Sequence, residues 1–229
     1  MSRTENIPVI AIDGPSASGK GTVAARVAQA LGFHYLDSGS IYRLTALVAL
    51  RSGVSLEDEV QVAVLAGNLP ASFHDGEIFL EGEPVTEAIR SEECSAGASR
   101  VAALPAVRAA LLARQRAYQQ SPGLVADGRD MGSVVFPQAS LKVYLTASAE
   151  ERASRRYKQL IEKGMSANIS TLLQDLQERD ARDAARSVAP LQKCADAKLL
   201  DTTSLSIGQA VQTVLDWYQQ RRQVAGVTQ

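Results

Sequence analysis

Hydrophobic residues along the chain alternate between short continuous runs and stretches with helical spacing. The continuous runs are rich in β-branched side chains, which is typical of buried strands. They predict strands at 9–13, 33–36, 124–127, 141–146 and 197–201. Apolar residues three and four positions apart predict helices at 23–31, 41–51, 86–90, 95–118 (divided at Pro105), 149–163, 170–186 and 206–222. A further helix is predicted to follow a cap at 55–58 and to run to about residue 66. Strands that alternate with helices favour an α/β fold, in which helices cover both faces of a parallel five-stranded sheet.

One segment departs from this alternation. Residues 71–85 carry an Asp-Gly turn between alternating apolar residues, which predicts a small antiparallel β-ribbon inserted into the α/β pattern.

The first predicted strand runs directly into a glycine-rich turn and then a helix. Gly14, Gly19 and Lys20 have the spacing of a Walker A phosphate-binding loop, whose backbone N–H groups surround a polyphosphate at a helix N-terminus. The predicted ATP-binding residues of this loop are Gly14, Pro15, Ser16, Ala17, Ser18, Gly19, Lys20, Gly21 and Thr22. The strict pattern places Ser or Thr after the lysine as a Mg²⁺ ligand, but here Gly21 stands there, so Thr22 is an open candidate. The alternative is an ordinary glycine-rich turn with an exposed lysine.

A second strand delivers a carboxylate. The apolar run at 124–126 ends in Asp127, the Walker B arrangement, in which the carboxylate meets Mg²⁺ directly or through water. Arg129 and Asp130 follow, and we expect them at the carboxyl edge of the sheet, where ligands of open α/β sheets bind. The alternative is a solvated turn with an ion pair.

Arginines are spaced along one face of two neighbouring predicted helices. Arg179, Arg182, Asp183 and Arg186 fall on one helical stripe, and the preceding helix repeats this spacing with Arg152, Arg155 and Arg156. Six arginines on two helices with a glycine-containing connection suggest a lid that closes over phosphates. Alternatively, these faces are solvated and the arginines pair with Glu150, Glu151 and Glu178.

Composition narrows the classes of partner. Lys and Arg total 24 against 25 Asp and Glu, a net charge of −1, so the bulk charge indicates no nucleic-acid polymer and no anionic membrane. Cys94 and Cys194 are far apart in sequence and fit no metal-ligand spacing, which favours free thiols in a reducing compartment. The polar residues 1–6 include no apolar signal core, so we expect a cytoplasmic protein.

A further polar cluster follows the second predicted strand. Asp37 and Ser38 cap a helix that carries Tyr42 and Arg43, and Arg43 could bind an acceptor phosphate as a bidentate fork. The alternative interpretation of Arg43 is a solvated arginine on the helix face. Ser99 and Arg108 have no informative spacing of their own.

Four segments together resemble the bacterial cytidylate kinases, within the nucleoside monophosphate kinases. They are IDGPSASGKGT at 12–22, LDSGSIYR at 36–43, ADGRDMG at 126–132 and ERDARD at 178–183. The likeness extends from residue 9 to about residue 218, and Ser40 stands where the family often has alanine. The resemblance implies a P-loop NTPase three-layer fold in one domain. It implies a core at about 1–37, 119–150 and 187–229, a nucleotide-monophosphate-binding region at about 38–118 containing the insert, and a lid at about 151–186.

The resemblance also implies transfer of a phosphoryl group from ATP to CMP or dCMP with Mg²⁺. Lys20 would hold the donor phosphates together with Arg155 and Arg156, while Arg43 and Arg129 would bind the CMP phosphate. Ser99, Arg108 and Asp130 would read the cytosine, Arg179 and Arg186 would contact the acceptor and the transferring group, and Asp183 would bind the sugar hydroxyls. Asp37, Ser38 and Tyr42 would lie near the acceptor, and Asp127 near the metal.

The chemistry of cytosine agrees with that base-reading set. Its exocyclic amine calls for a carboxylate or hydroxyl, and its ring acceptors call for an arginine. Uracil would place an acceptor against Asp130, so we expect CMP to be preferred over UMP. Rival hypotheses are another small-molecule P-loop kinase, acting on UMP, AMP or a metabolite, and a nucleotide-binding switch. We expect a monomer.

Overall fold

A computed structural model describes residues 7–74 and 76–227 of the chain. Residues 1–6, the N-terminal part of the predicted core, and Asp75 of the predicted Asp-Gly turn lie outside the described residues. The strands are β1 (Val9–Asp13), β2 (His34–Asp37), β3 (Ala71–His74), β4 (Glu77–Leu80), β5 (Glu83–Pro84), β6 (Leu124–Gly128), β7 (Leu141–Thr146) and β8 (Lys198–Asp201). The helices are α1 (Lys20–Leu31), α2 (Ser38–Arg51), α3 (Glu59–Gly67), α4 (Glu92–Val101), α5 (Pro105–Arg116), α6 (Ala149–Glu162), α7 (Ile169–Ala184) and α8 (Ile207–Val227).

The described chain divides into two compact units. The first comprises residues up to Leu36 together with those from Tyr118 onward, and the second comprises Asp37–Ala117. The division into a functional core, an acceptor-binding region and a lid stays a prediction.

The predicted five-stranded sheet is confirmed, with strand order β2-β6-β1-β7-β8. Strand β1 pairs in parallel with β6 and with β7, and β7 pairs in parallel with β8. Every residue of β1 and β6 is buried, as their uninterrupted apolar sequences predict. Helices α1 and α8 contribute Val23, Val27 and Val214 to a core shared with β1 and β7. The carboxyl ends of β1 and β6 therefore have rigid support, and both lead into polar loops.

The second unit consists of helices α2 to α5 and a small sheet. Side chains cap three of these helices: Asp37 caps α2, Asp58 caps α3 and Ser91 caps α4. Pro105 is the first residue of α5, which confirms that it divides the predicted helix. The predicted β-ribbon is a three-stranded antiparallel sheet in the order β3-β4-β5, because residues 83–84 return to pair with β4.

Some predicted element ends were wrong. Helix α7 ends at Ala184, so Arg186 lies beyond the helix and not on its stripe. Helix α8 continues to Val227, past the predicted end near Arg222. The segment 86–90 forms only a short 3₁₀ turn, Ala88–Arg90.

Candidate active site

The loop between β1 and α1 is shaped by its glycines and one alanine. A Cβ on Gly14 would lie 1.9 Å from the carbonyl oxygen of Leu145 in β7, so only glycine fits there. Ala17 and Gly19 adopt left-handed backbone conformations, with φ of 57° and 90°. Residues of this conformation in a turn make neighbouring N–H groups converge into a concave anion-binding site. The loop therefore has the geometry that the Walker A spacing predicts.

Lys20 lies folded over this loop. Its Nζ donates to the carbonyl oxygen of Pro15 at 3.2 Å, and Ser18 Oγ donates to the same oxygen at 3.0 Å. The ammonium group thus stands above the loop that would surround the phosphates, where a lysine can reach the outer phosphates of a nucleotide.

Asp127 lies at the end of β6, beside the first turn of α1. It is 4% exposed, and Tyr35 Oη donates a hydrogen bond to its Oδ1 at 2.7 Å. Thr22, the other candidate metal ligand, is exposed. Among the described residues, no group of three or more His, Cys, Asp or Glu side chains forms a metal cage. One carboxylate, one hydroxyl, phosphate oxygens and water make a donor set that suits Mg²⁺, which usually keeps several waters. The residues present therefore fit a nucleotide-bound Mg²⁺.

Asp13 is a residue of this site that the sequence analysis missed. Its two carboxyl oxygens accept hydrogen bonds from the backbone N–H groups of Met131 and Gly132, at 2.7 and 2.8 Å. It thereby holds a single π-helical turn, Met131–Val135, directly after Asp130. Burial raises the pKa of Asp13 to about 7, although both backbone hydrogen bonds act in the opposite direction. The available signal was a carboxylate at the end of an apolar strand, the same signal that identified Asp127.

Arg129 is held between the phosphate-binding loop and α7. Its Nη2 donates to Ser16 Oγ at 2.7 Å, and its Nε donates to Asp183 Oδ2 at 2.8 Å. Asp183 also accepts a hydrogen bond from Arg186. Burial opposes the ionisation of Asp183, but Arg129 and Arg186 outweigh this effect and lower its pKa below the ordinary value. The structure therefore brings Arg129, Asp183 and Arg186 together with the loop residue Ser16.

The arginines of α6 contact the same loop. Arg155 Nη1 donates to the carbonyl oxygen of Ser18 at 3.0 Å, and its Nη2 donates to that of Thr202 at 2.6 Å. Arg152 is buried and donates to the carbonyl oxygens of Ala147 and Ser16 and to Asp180. Arg152 is therefore held by contacts within the protein, and the predicted lid role of its helix face stays a prediction.

The remaining arginines of the predicted lid differ among themselves. Arg182 is exposed and lies 3.9 Å from Glu178, as the alternative of solvated ion pairs predicts. Arg156 and Arg179 are half-buried. The six predicted arginines thus differ in their contacts and in their exposure. Roles for Arg155, Arg156, Arg179 and Arg186 toward nucleotides stay predictions.

In the second unit, Asp37 and Arg43 form an ion pair at the start of α2. Arg43 Nη2 lies 2.7 Å from Asp37 Oδ2, and Ser40 Oγ contacts both side chains, accepting from Arg43 at 2.9 Å and donating to Asp37 at 2.5 Å. Ser38, next to the cap, is buried. Ser40 is a second residue that the sequence analysis left out of the site, because it was treated as a small-residue departure.

Two predicted base-reading residues also lie in this unit. Arg108 packs its guanidinium over the ring of Tyr42, 5.8 Å from the ring centroid, and donates to the carbonyl oxygen of Ala102. Ser99 is 4% exposed, and its Oγ has no hydrogen-bond partner among the described residues. Asp130, in the first unit, is likewise buried.

The sequence was compared with families and proteins of known identity. Residues 10–220 match the family described as cytidylate kinase. The chain belongs to the cytidylate kinase family. A cytidylate kinase of Chromobacterium violaceum is 63% identical over 216 residues, which cover 94% of this chain and 97% of that protein. A cytidylate kinase of Nitrosomonas europaea is 57% identical over 218 residues, covering 95% and 98% of the two chains.

Solved structures agree with the predicted P-loop kinase fold. A gluconokinase from Sinorhizobium meliloti superimposes with a TM-score of 0.52 at 15% identity, covering 96% of this chain and 97% of that one. This similarity concerns the fold alone. Membership of the cytidylate kinase family confirms the resemblance drawn from the four sequence motifs.

The described helices were also compared with the requirements of a membrane span. Among them, no single helix is long and apolar enough to cross a bilayer, whereas α4 and α5, bent by 102° at their junction, pass together on length and composition.

Proposed function

We propose that this chain transfers the γ-phosphoryl group of ATP to CMP or dCMP, giving ADP and CDP or dCDP. Membership of the cytidylate kinase family supports this reaction, with ATP as the phosphoryl donor. The observation in the structure that carries the choice of acceptor is the buried Oγ of Ser99, which has no hydrogen-bond partner among the described residues. Buried polar atoms in folded proteins almost always have a partner, so an orphaned hydroxyl indicates a ligand that supplies one.

The donor half of the reaction is assigned to the loop and Lys20. The converging N–H groups of Gly14 and of residues 16–19 would bind the triphosphate, and the Lys20 ammonium would move from the Pro15 carbonyl to the outer phosphates. Arg155 fixes the loop by its bond to the Ser18 carbonyl. Bound Mg²⁺ would neutralise charge on the triphosphate, with Asp127 and Thr22 as the residues that would hold it.

The predicted roles toward the acceptor are proposed for residues of each unit by itself. In the second unit, Arg43 would bind the acceptor phosphate. Its Nε is buried and has no hydrogen-bond partner within the described part of the chain, which supports this role. Ser99 and Arg108 would read the cytosine, with Asp37, Ser38 and Tyr42 beside them. In the first unit, Arg129, Arg179 and Arg186 would stabilise charge on the transferring group, Asp183 would bind the sugar and Asp130 the base.

The protein's contribution to the chemistry is positioning and charge stabilisation. Phosphoryl transfer needs an in-line approach and neutralisation of the equatorial oxygens, with little covalent participation. Arg129 is already oriented by Ser16 and Asp183, so its cationic fork is fixed before the acceptor arrives. Such preorganised charge is the largest single source of rate enhancement in many enzymes.

The test is a coupled assay of ADP release with ATP, Mg²⁺ and a panel of CMP, dCMP, UMP and AMP. We expect turnover with CMP or dCMP and much slower turnover with UMP and AMP. Lys20→Ala should remove most of the turnover with every acceptor. Preferential turnover of AMP or UMP would show a different monophosphate kinase, and a long-lived ATP complex without acceptor turnover would favour the nucleotide switch.

Base reading is tested with Ser99→Ala and Asp130→Ala. Each should raise KM for CMP and narrow its advantage over UMP, because a lost hydrogen bond in a buried site weakens discrimination by about 1–3 kcal/mol. Ser206→Ala, which alters an exposed hydroxyl before α8, is the matched control. An unchanged preference for CMP in both variants would remove these residues from the base-reading set.

We also propose the partners, the compartment and the oligomeric state of the enzyme. Its partners are small-molecule nucleotides, with no nucleic-acid polymer and no membrane, and it acts in the cytoplasm as a monomer. The near-zero net charge of −1 supports the absence of a polyanionic partner. Light scattering coupled to size-exclusion chromatography measures the oligomeric state directly.

A further inference from the structure

Tyr35 lies in β2, outside every motif that the sequence analysis singled out. Its hydroxyl donates to Asp127 Oδ1 at 2.7 Å and lies 3.5 Å from the carbonyl oxygen of Gly21. All three residues belong to the first unit. The phenol therefore joins the carboxylate at the end of β6 to the first turn of the helix that follows the phosphate-binding loop.

Gly21 stands where the strict Walker pattern has the metal-binding Ser or Thr. A Cβ built on Gly21 would lie 3.5 Å from Tyr35 Oη and 3.9 and 4.0 Å from the two oxygens of Asp127. A methyl group would be in ordinary van der Waals contact there, but a larger side chain would meet the phenol and the carboxylate. The space beside position 21 is thus bordered by oxygen atoms that belong to Tyr35 and Asp127.

We infer that Tyr35 is a positioning residue for Asp127, and that this pair replaces the missing hydroxyl at position 21 in holding the divalent cation of the bound nucleotide. The inference rests on the proposed use of a metal–nucleotide donor. Tyr35 does not contact the cation. It fixes the orientation of the Asp127 carboxylate, so that the carboxylate meets the cation, or a water on it, without reorienting.

The physical basis is the behaviour of hydrogen-bond partners behind metal ligands. A carboxylate ligand is commonly oriented by a hydrogen bond, and removal of that bond typically costs 10–100-fold in metal affinity. The Tyr35–Asp127 bond is short and half-buried, and Asp127 itself is almost fully buried, so water replaces the phenol poorly. Loss of the hydroxyl should therefore weaken the metal-dependent part of nucleotide binding and leave the metal-independent part unchanged.

The experiment compares nucleotide affinity with Mg²⁺ and with EDTA, using a fluorescent ATP analogue and no acceptor. In Tyr35→Phe we expect the EDTA affinity of the wild type, and a strengthening by Mg²⁺ that is at least about tenfold smaller than in the wild type. Tyr157→Phe, which removes an exposed hydroxyl from α6, should match the wild type in both conditions. Because no acceptor is present, the result does not depend on whether CMP is the substrate.

A rescue separates this role from a merely structural one. Gly21→Ser restores a hydroxyl at the Walker position, and in the Tyr35→Phe background the lost phenol oxygen leaves room for it. We expect the double variant to recover part of the Mg²⁺-dependent strengthening. If Tyr35→Phe does not fold, Tyr35→Leu provides the same comparison, because it also removes the phenol oxygen from Asp127 and leaves the loop sequence unchanged.

Two outcomes would overturn the inference. One is a Tyr35→Phe variant, or Tyr35→Leu in its place, whose Mg²⁺-dependent strengthening equals that of the wild type. The other is an equal loss of affinity with Mg²⁺ and with EDTA, which would assign Tyr35 to the stability of the loop alone.

Discussion

Single polar residues at the ends of strands and helices determine the geometry of the candidate site. Asp127, Arg129 and Lys20 could be identified from the sequence because each occupies a fixed position in a recognisable motif. Ser40 and Tyr35 could not, because their partners are distant in sequence or were not expected to pair. Asp13 was missed although it ends an apolar strand, because nothing in the sequence linked it to residues 131 and 132. The Tyr35–Asp127 contact spans 92 positions and the Asp13–Met131 contact spans 118. Such contacts depend on strand order, which local sequence patterns do not encode.

Ser40 provides a test of positioning in the second unit. Ser40→Ala removes the bridge between Arg43 and Asp37, and we expect KM for CMP to rise about three- to tenfold, equivalent to about 1 kcal/mol for one hydrogen bond. Steady-state kinetics with CMP varied at saturating ATP measure this, and Ser55→Ala, an exposed serine of the same unit, is the control. An equal rise in KM for ATP would contradict a role limited to the acceptor side.

Asp13 predicts a dependence of stability on pH. Its pKa is about 7 in the folded protein against an ordinary value of 3.8, so between these values the folded state holds a proton that the unfolded state has released. The stabilising contribution is full below about pH 4 and is lost as the pH rises through about 7. The unfolding free energy should therefore fall by up to about 1.4 kcal/mol per pH unit across this window.

Urea denaturation at several pH values between about 4 and 8 measures this slope. Asp13→Asn cannot ionise, and it presents an amide donor to one of the two backbone N–H groups, so we expect a less stable protein with a flatter pH profile. Identical slopes in the wild type and in Asp13→Asn would contradict the assignment.

At the scale of elements, the phosphate-binding loop is fixed from outside as well as by its own glycines. The Leu145 carbonyl of β7 closes the space at Gly14, and Arg152 and Arg155 of α6 bind the carbonyl oxygens of Ser16 and Ser18. The order of elements and the loop itself could be predicted from hydrophobic spacing and from the glycine positions. The end of α7 could not, because the apolar and charged spacing continues beyond Ala184 although the helix does not.

Gly14→Ala tests this external constraint on the loop. The added methyl group would lie 1.9 Å from the Leu145 carbonyl oxygen. This oxygen belongs to the backbone of β7, so it cannot move away unless the strand is distorted. We expect a loss of several kcal/mol in stability, comparable to other severe steric substitutions, together with loss of ATP binding. Thermal unfolding measures the change in stability. The control is Gly208→Ala in α8, where a Cβ meets nothing within 4 Å, and it should leave the melting temperature unchanged or raise it.

At the scale of the whole molecule, each of the two compact units contains residues with predicted roles toward nucleotides. The loop, Lys20, Asp127 and Arg129 lie in the first, and Arg43, Ser99 and Arg108 lie in the second. The sequence predicted the α/β sheet and its insert, and the family resemblance supplied roles for Ser99 and Arg108. Nothing in the spacing of those two residues indicated a site, because cytosine recognition needs groups that are near one another in space and not in sequence.

The proposed roles of Lys20 toward ATP and of Ser99 toward CMP predict separable effects of the two ligands on stability. A ligand at one hundred times its dissociation constant stabilises the folded protein by about 2.7 kcal/mol, which raises the melting temperature. We expect Lys20→Ala to lose most of the shift caused by ATP and to keep the shift caused by CMP, and Ser99→Ala to show the reverse. Differential scanning fluorimetry measures both, and loss of both shifts in either variant would contradict the assignment.

The contacts of Arg129 have a consequence for the thermodynamics of association. A long, rotamer-rich side chain that becomes ordered only when a ligand arrives lowers the affinity by about 0.5–1.5 kcal/mol. Ser16 and Asp183 already restrain Arg129 in the folded chain. The conformational entropy of its side chain is therefore lost during folding and not at each binding of a ligand. Repeated catalytic cycles would therefore begin with this cation in place, and calorimetry of Ser16→Ala should show an entropic penalty on anion binding that the wild type lacks.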